Sequence, residues 1–147
     1  MMRAIPRAPE HEVKLSRPDG DVTVRLKAPP LAHRPMIERH FTAPVRFVNG
    51  VEKDDPAAQS EYAVLLGFVL LADVLTGDDK PQTPRPSPTA DRAAWDRYAR
   101  ALREEFESAG YCEGDISALV RGYNTVSIGK GAEVGKPGAP SSTPSGA

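Results

Sequence analysis

The chain has 147 residues, of which 39% are hydrophobic, 12 are glycine and 15 are proline. This length predicts one domain, and the clustering of glycine and proline in the terminal segments and one internal stretch predicts a folded part smaller than the chain. Nineteen basic and 20 acidic side chains leave a net charge of −1, which does not indicate a protein that binds nucleic acid or a membrane surface. The single cysteine, Cys112, excludes an intramolecular disulfide and fits a reducing cytosol.

Residues 1–10 hold little that can be buried, so they predict a flexible arm, and they lack the apolar segment of a signal peptide. From residue 13 to 27 apolar and polar side chains alternate on both sides of the turn R-P-D-G-D, which predicts a β-hairpin. The apolar positions of this hairpin are predicted to face the core: Val13, Leu15, Val22, Val24 and Leu26.

Two short elements are predicted between the hairpin and the middle of the chain. A short helix begins at Pro35, and the segment P-V-R-F-V-N-G-V forms a third strand that ends in a tight turn at Asn49 and Gly50. The E-K-D-D segment that follows is a solvated lead-in to the next helix. The apolar residues of the short helix are predicted to face inward: Met36, Ile37 and Phe41.

A long central helix is predicted over residues 56–76, with Asp55 as its N-cap and Gly77 at its end. Residues 62–72 are apolar around the whole circumference, which indicates burial in a core or in a partner. Gly67 costs this helix roughly 1 kcal/mol relative to alanine, so we expect another backbone to approach it closely. Asp73 interrupts the apolar run, which is therefore too short to span a membrane.

Residues 78–89 form a proline-rich spacer, predicted to lie outside the core. A second long helix follows over residues 90–109, and its apolar residues recur at helical spacing on one face. This stripe is predicted to bind a partner or a second copy of the chain, with packing inside the chain's own core as the alternative. The stripe consists of Trp95, Tyr98, Leu102 and Phe106.

A third helix is predicted over residues 115–124, with Asp115 as its N-cap. Residues 125–147 are rich in glycine, proline and serine and predict a disordered tail. The fold class that follows is α+β: one domain over residues 11–124, in which the N-terminal hairpin packs on a small set of helices.

No catalytic, cofactor-binding or metal-binding constellation is apparent. The tail lacks the spacing of a phosphate-binding loop, and no histidine lies near Cys112 in the sequence to activate it as a nucleophile. The three histidines do not have the spacing of a metal site and are predicted to be solvent-facing or lightly packed: His11, His33 and His40.

Two segments resemble parts of the tail assembly chaperones of long-tailed, siphovirus-like bacteriophages. The hairpin end V-T-V-R-L-K-A-P-P-L is similar to the family's hairpin, which ends in a segment of the type T-L-R-x-P-T and leads into helices. The sequence L-L-A-D-V-L-T-G looks like the helix end that often follows in that family. The resemblance covers residues 13–30 and 62–77.

This resemblance implies a non-enzymatic protein in the cytoplasm of a bacterial host. It implies binding to the tape-measure protein and recruitment of tail-tube subunits during tail assembly, and the apolar surplus of the central helix adds self-association as an expectation. The alternative is a permanent virion component, such as a head–tail connector or a minor tail subunit. A small enzyme is a third hypothesis, which the absent constellation disfavours.

Overall fold

The computed structural model describes residues 1–6 and 10–128 of the chain. These residues form two antiparallel hairpins and four α-helices, which confirms the predicted α+β class, with a short 3-10 turn at Gly77–Asp79. The predicted tail from residue 129 onward lies outside the described residues. In chain order the elements are β1 (His11–Leu15), β2 (Val22–Leu26), α1 (His33–Glu38), β3 (Arg46–Val48), β4 (Val51–Lys53), α2 (Pro56–Val74), α3 (Arg92–Ser108) and α4 (Glu113–Ile128).

The predicted N-terminal hairpin is confirmed. β1 and β2 pair in antiparallel register with Val13 opposite Val24, and Gly20 in the turn has a φ of 123°, which glycine adopts readily. Val22 is 47% exposed, contrary to the prediction, because it borders an open cleft beside Lys80. The other predicted inward positions are buried: Val13, Leu15, Val24 and Leu26.

The hairpin is held between α4 and the end of α2. Gly122 of α4 lies so close to the sheet that a Cβ there would come within 2.7 Å of Val13 Cγ2 and 2.9 Å of Leu26 Cδ1. On the side of α2, the Lys27 N–H donates to the Val74 carbonyl oxygen at 2.9 Å. Elements from the two ends of the chain therefore share one core.

An ion pair fastens the hairpin turn to the start of α4. Arg17 donates from both terminal guanidinium nitrogens to the two carboxylate oxygens of Asp115, with the Nη1–Oδ1 distance at 2.9 Å. This hydrogen-bonded guanidinium holds the pKa of Asp115 well below its usual range. Asp115 also accepts the Cys112 N–H at 2.8 Å, reaching back from the first turn as in a capping box. The helix therefore begins at Glu113, two residues before the predicted N-cap.

The central helix α2 ends at Val74, two residues before the predicted end, because Leu75 turns into an extended bridge with Leu26. The Asp55 side chain caps its start by accepting the Ala58 N–H at 3.3 Å. Burial on all sides holds for its second half only, since the N-terminal half projects from the core. The buried residues of α2 are Leu65, Leu66, Phe68, Val69, Leu70, Leu71, Ala72 and Val74.

Helix α4 continues to Ile128, so the prediction that residues 125–147 form a disordered tail is wrong for residues 125–128. Val126 is only 8% exposed and belongs to the core, which extends the helix beyond the predicted end at residue 124. Helix α3 matches its prediction more closely, with the Asp91 side chain accepting the Ala94 N–H at 2.9 Å.

The predicted short helix and third strand are both present, with differences in detail. Helix α1 begins at His33, and because His33 and Ile37 turn the same side to the core, Met36 is 50% exposed instead of inward. Asn49 and Gly50 form the predicted tight turn with φ of 53° and 76°. Of the predicted E-K-D-D lead-in, Glu52 and Lys53 pair back as part of β4, and only Asp54 and Asp55 lead into α2.

We expect Gly122→Ala to lower the free energy of unfolding by about 1–3 kcal/mol, because the added methyl group overlaps Val13 and Leu26. Urea denaturation measures the change. The matched control is Gly114→Ala, whose methyl group would meet only the Cys112 sulfur, at 4.0 Å. Equal stability of the two variants would show that the contact of α4 with the hairpin is looser than described.

Candidate partner-binding groove

The aromatic stripe of α3 lies inside the chain's own core. Its residues are 1%, 6%, 0% and 4% exposed in the order Trp95, Tyr98, Leu102 and Phe106. Phe106 contacts Phe68 of α2, with ring centroids 5.5 Å apart. These four residues therefore offer no exposed surface for the predicted partner. They have the intramolecular packing that was predicted as the alternative.

An open apolar groove lies instead where α2, α3 and α4 meet, and we call it the α2 groove. Its volume is about 860 Å³. The α2 residues form its floor, and α3, the α3–α4 loop and α4 form its walls. The apolar residues that line it are Ala63, Val64, Leu66, Gly67, Phe68, Leu70, Phe106, Tyr111, Ile116 and Val120.

The floor of the α2 groove combines three core residues, Leu66, Phe68 and Leu70, with neighbouring residues that the core leaves uncovered. Val64 is 53% exposed and Ala63 is exposed as well, although both belong to the continuous apolar run. At Gly67 a Cβ would meet a single side-chain atom, Val120 Cγ2, at an ordinary contact distance of 3.7 Å. The expected close approach of another backbone to Gly67 is therefore absent within the described residues.

The rim of the groove carries side chains of both charges. Arg34 and Arg103 contribute positive charge, and Glu107 and Glu113 contribute negative charge. All four are exposed, so their charges are screened by water until a ligand covers them. The groove thus joins an apolar floor to a charge-balanced rim, the usual anatomy of a protein-binding site.

A buried polar network joins four segments of the fold, and nothing in the sequence pattern predicts it. His33 is 5% exposed, which contradicts the predicted solvent-facing or lightly packed histidine. Its Nδ1 lies 2.8 Å from the Tyr123 hydroxyl, and its Nε2 lies 2.8 Å from Asp73 Oδ2. Arg85 donates to the other Asp73 oxygen from Nε at 3.0 Å. The network therefore joins α1, α2, α4 and the proline-rich segment.

Two opposing effects set the pKa of Asp73. Burial raises this pKa. The hydrogen bonds to His33 and Arg85 and the positive charge of Arg85 lower it by more than burial raises it, so the pKa of Asp73 lies below its usual value. Tyr98 has the opposite balance, because burial and the Asp73 charge raise its pKa to about 12. Asp73 is therefore an anion at neutral pH, and Tyr98 is neutral.

The proline-rich segment is attached to the fold more firmly than a free spacer. The Glu105 carboxylate accepts the Gln82 N–H at 2.8 Å and the Thr83 N–H at 3.0 Å. The Arg85 guanidinium also lies over the Trp95 ring, 5.1 Å from its centroid. No residue of this segment is buried, as predicted, although Glu105 and Trp95 hold it against the fold.

The hydrogen-bonded chain Asp73–His33–Tyr123 resembles the relays that move protons in enzymes. His33 is 5% and Tyr123 2% exposed, which leaves no room for a substrate beside them, so the network acts as a support. Among the described residues, no group of three or more histidine, cysteine, aspartate or glutamate side chains is placed to hold a metal ion.

Within the described part of the chain, α2 is the one helix that is long and apolar enough to cross a membrane by length and composition. Core helices of soluble proteins meet the same criterion, and 44% of the most apolar window of α2 is buried in the fold.

No protein-family model, curated protein or solved structure matches this chain. The residues of the α2 groove and the resemblance of the sequence are therefore the basis for a functional proposal.

We expect Asp73→Asn to lower the free energy of unfolding by about 2–3 kcal/mol at pH 7, because His33 and Arg85 lose a charged acceptor. The lowered pKa of Asp73 means that its stabilisation is present above the usual aspartate pKa of about 4 and is lost as the pH falls through the lowered value. The difference from wild type should therefore be constant from pH 7 to 5 and shrink towards pH 2. Chemical denaturation across this range measures it.

The control for this pH series is Asp78→Asn, the same substitution at an exposed carboxylate in the turn that follows α2. This variant should match wild type throughout. If Asp73→Asn lowers the free energy of unfolding by the same amount at pH 3 and pH 7, the assigned role of the Asp73 charge is contradicted.

Proposed function

We propose that this protein is a non-enzymatic assembly chaperone of a long-tailed bacteriophage. In this proposal it binds the tape-measure protein in the cytoplasm of the bacterial host and helps to recruit tail-tube subunits. The observation that carries the proposal is the open α2 groove, an apolar cleft of about 860 Å³ along the central helix, in which Ala63 and Val64 remain exposed.

The groove supports a protein partner because of its chemistry. An apolar floor releases ordered water when another apolar surface covers it, which provides the binding free energy. The rim has two arginines and two glutamates, so it attracts neither polyanions such as nucleic acids nor strongly basic ligands. The resemblance implies a tape-measure protein as the partner, and such a protein offers long helical segments with apolar faces.

The size of the groove supports a temporary partner over a permanent one. From Ala63 to Leu70 the floor of the groove spans about 10 Å, or two helical turns. Obligate subunit interfaces bury 2,000 Å² or more, whereas contacts of peptide size suit complexes that must come apart. This favours a chaperone over the alternative of a head–tail connector or minor tail subunit.

We expect Val64→Asp to abolish copurification with the tape-measure protein encoded in the same genome, while the melting temperature stays within a few degrees of wild type. Val64 is 53% exposed, so the aspartate is solvated in the free protein but must be buried in the complex. Coexpression with the tape-measure protein, affinity capture and thermal denaturation measure both quantities.

The matched control is Val51→Asp, because Val51 on β4 is 56% exposed and lies outside the α2 groove. If Val51→Asp abolishes binding and Val64→Asp does not, the partner binds the exposed hairpin. Absence of binding by the wild-type chain rejects the proposed function altogether.

Mass spectrometry separates the chaperone from the permanent virion component. We expect the chain in lysates of infected cells and its absence from purified particles. A stoichiometric amount in purified particles would reject the chaperone proposal and favour the structural alternative.

A further inference from the structure

Gly67 is the one position on the floor of the α2 groove whose residue type the fold does not explain. Glycine is the poorest helix former apart from proline, and it sits in the middle of a 19-residue helix. A methyl group at this position would meet only Val120 Cγ2, at 3.7 Å. The packing of the described residues therefore accommodates alanine, which would make a better helix.

Gly122 provides the comparison inside the same molecule. There Val13 and Leu26 of the hairpin occupy the space that a side chain at Gly122 would take, and a Cβ would overlap both of them. Glycine at that position allows two elements to approach each other closely. At Gly67 the space that a side chain would take borders the groove, and of the described residues only Val120 reaches it, with one methyl group at ordinary contact distance.

We propose that an amphipathic α-helix of the partner lies in the α2 groove with its backbone crossing α2 closely at Gly67. This inference rests on the proposed function and specifies the ligand of its site. The absence of a side chain at Gly67 lets the partner helix approach closely, and the exposed Ala63 next to it is almost as small. Such close crossings depend on van der Waals contact between the two backbones.

The charges of the rim define the flanks of this partner helix. Its apolar face must be bordered by carboxylates that reach Arg103, since Arg34 already donates to Glu38 at 3.4 Å, and by basic side chains that reach Glu107 or Glu113. A helix with one sign of charge on both borders would leave two rim charges facing like charges. The partner is therefore an apolar-faced helix of mixed charge, at least about two turns long to match the floor.

The experiment uses the full-length chain and a set of overlapping 25-residue peptides that cover the tape-measure protein. Cys112 lines the groove, is exposed and is the only cysteine, so a fluorophore attached to it reports occupation of the groove. A second protein, with Cys112→Ser and Thr23→Cys, carries the same fluorophore on the exposed side of β2 as a control for nonspecific binding.

We expect at least one peptide to change the Cys112 signal but not the Thr23 signal, and to gain helical circular dichroism when bound. Gly67→Ala should weaken this peptide about tenfold or more, because the methyl group keeps the two backbones apart. The same variant should melt about 3–5 °C higher than wild type, since alanine favours the helix. Ser60→Ala, at an exposed position of α2 outside the groove, also favours the helix and should bind like wild type.

Each other outcome overturns the inference in a distinguishable way. If a peptide binds wild type and Gly67→Ala equally, the close crossing is wrong and the proposed function stands. If the intact tape-measure protein binds but no peptide gains helicity, the ligand is not a helix. If Gly67→Ala changes only the oligomeric state, measured by light scattering, a second copy of the chain occupies the groove. If neither the tape-measure protein nor any peptide binds, the proposed function and this inference fail together.

Discussion

One carboxylate near the C-terminal end of an apolar helix determines much of the order in this fold. Asp73 follows a run of buried residues and is itself largely shielded from water, with 14% of its side chain exposed. A charge in that environment is strongly destabilising unless it is paired. His33 and Arg85 supply the pairing, and they come from α1 and from the proline-rich segment. Neutralising Asp73 therefore gives both segments a polar attachment, in addition to the core contacts of Ile37 and the hydrogen bonds of Glu105.

The two halves of α2 have different tasks. The half from Leu65 onward is buried mainly against α1, α3 and α4, and the half before it carries exposed apolar side chains, Val64 among them. Because both halves belong to one continuous helix, the exposed half is presented on a rigid support. A binding surface of this kind loses little conformational entropy when it is covered.

Elements with local signals could be predicted from the sequence, and their long-range partners could not. The first hairpin follows from alternation around a turn, and the starts of α2 and α3 follow from the capping side chains of Asp55 and Asp91. The periodicity of α3 identified an apolar face correctly, but periodicity does not show what covers a face. The apolar face of α3 was therefore compatible with an interface, whereas in the structure it packs inside the core.

The missed features depend on residues distant in the chain. His33 and Tyr123 are 90 positions apart, and no local pattern indicates that a histidine after a Pro-Pro turn meets a tyrosine of the last helix. The end of α4 was missed because Val126 is helical through its tertiary contacts, in a segment whose composition favours a coil. Gly67 was recognised as unusual, but the sequence could not show that its neighbourhood within the described residues is open.

The pairing of the first hairpin with the last helix has a consequence for synthesis on the ribosome. Arg17 and Asp115 are 98 positions apart, so at about 5–20 residues per second the hairpin waits roughly 5–20 s for its ion-pair partner to be made. During that time the apolar face of the hairpin lacks the cover that α4 provides. One wall of the α2 groove also belongs to α4. The nascent chain therefore cannot offer a complete groove until translation has passed the last helix, which delays partner binding until the domain is finished.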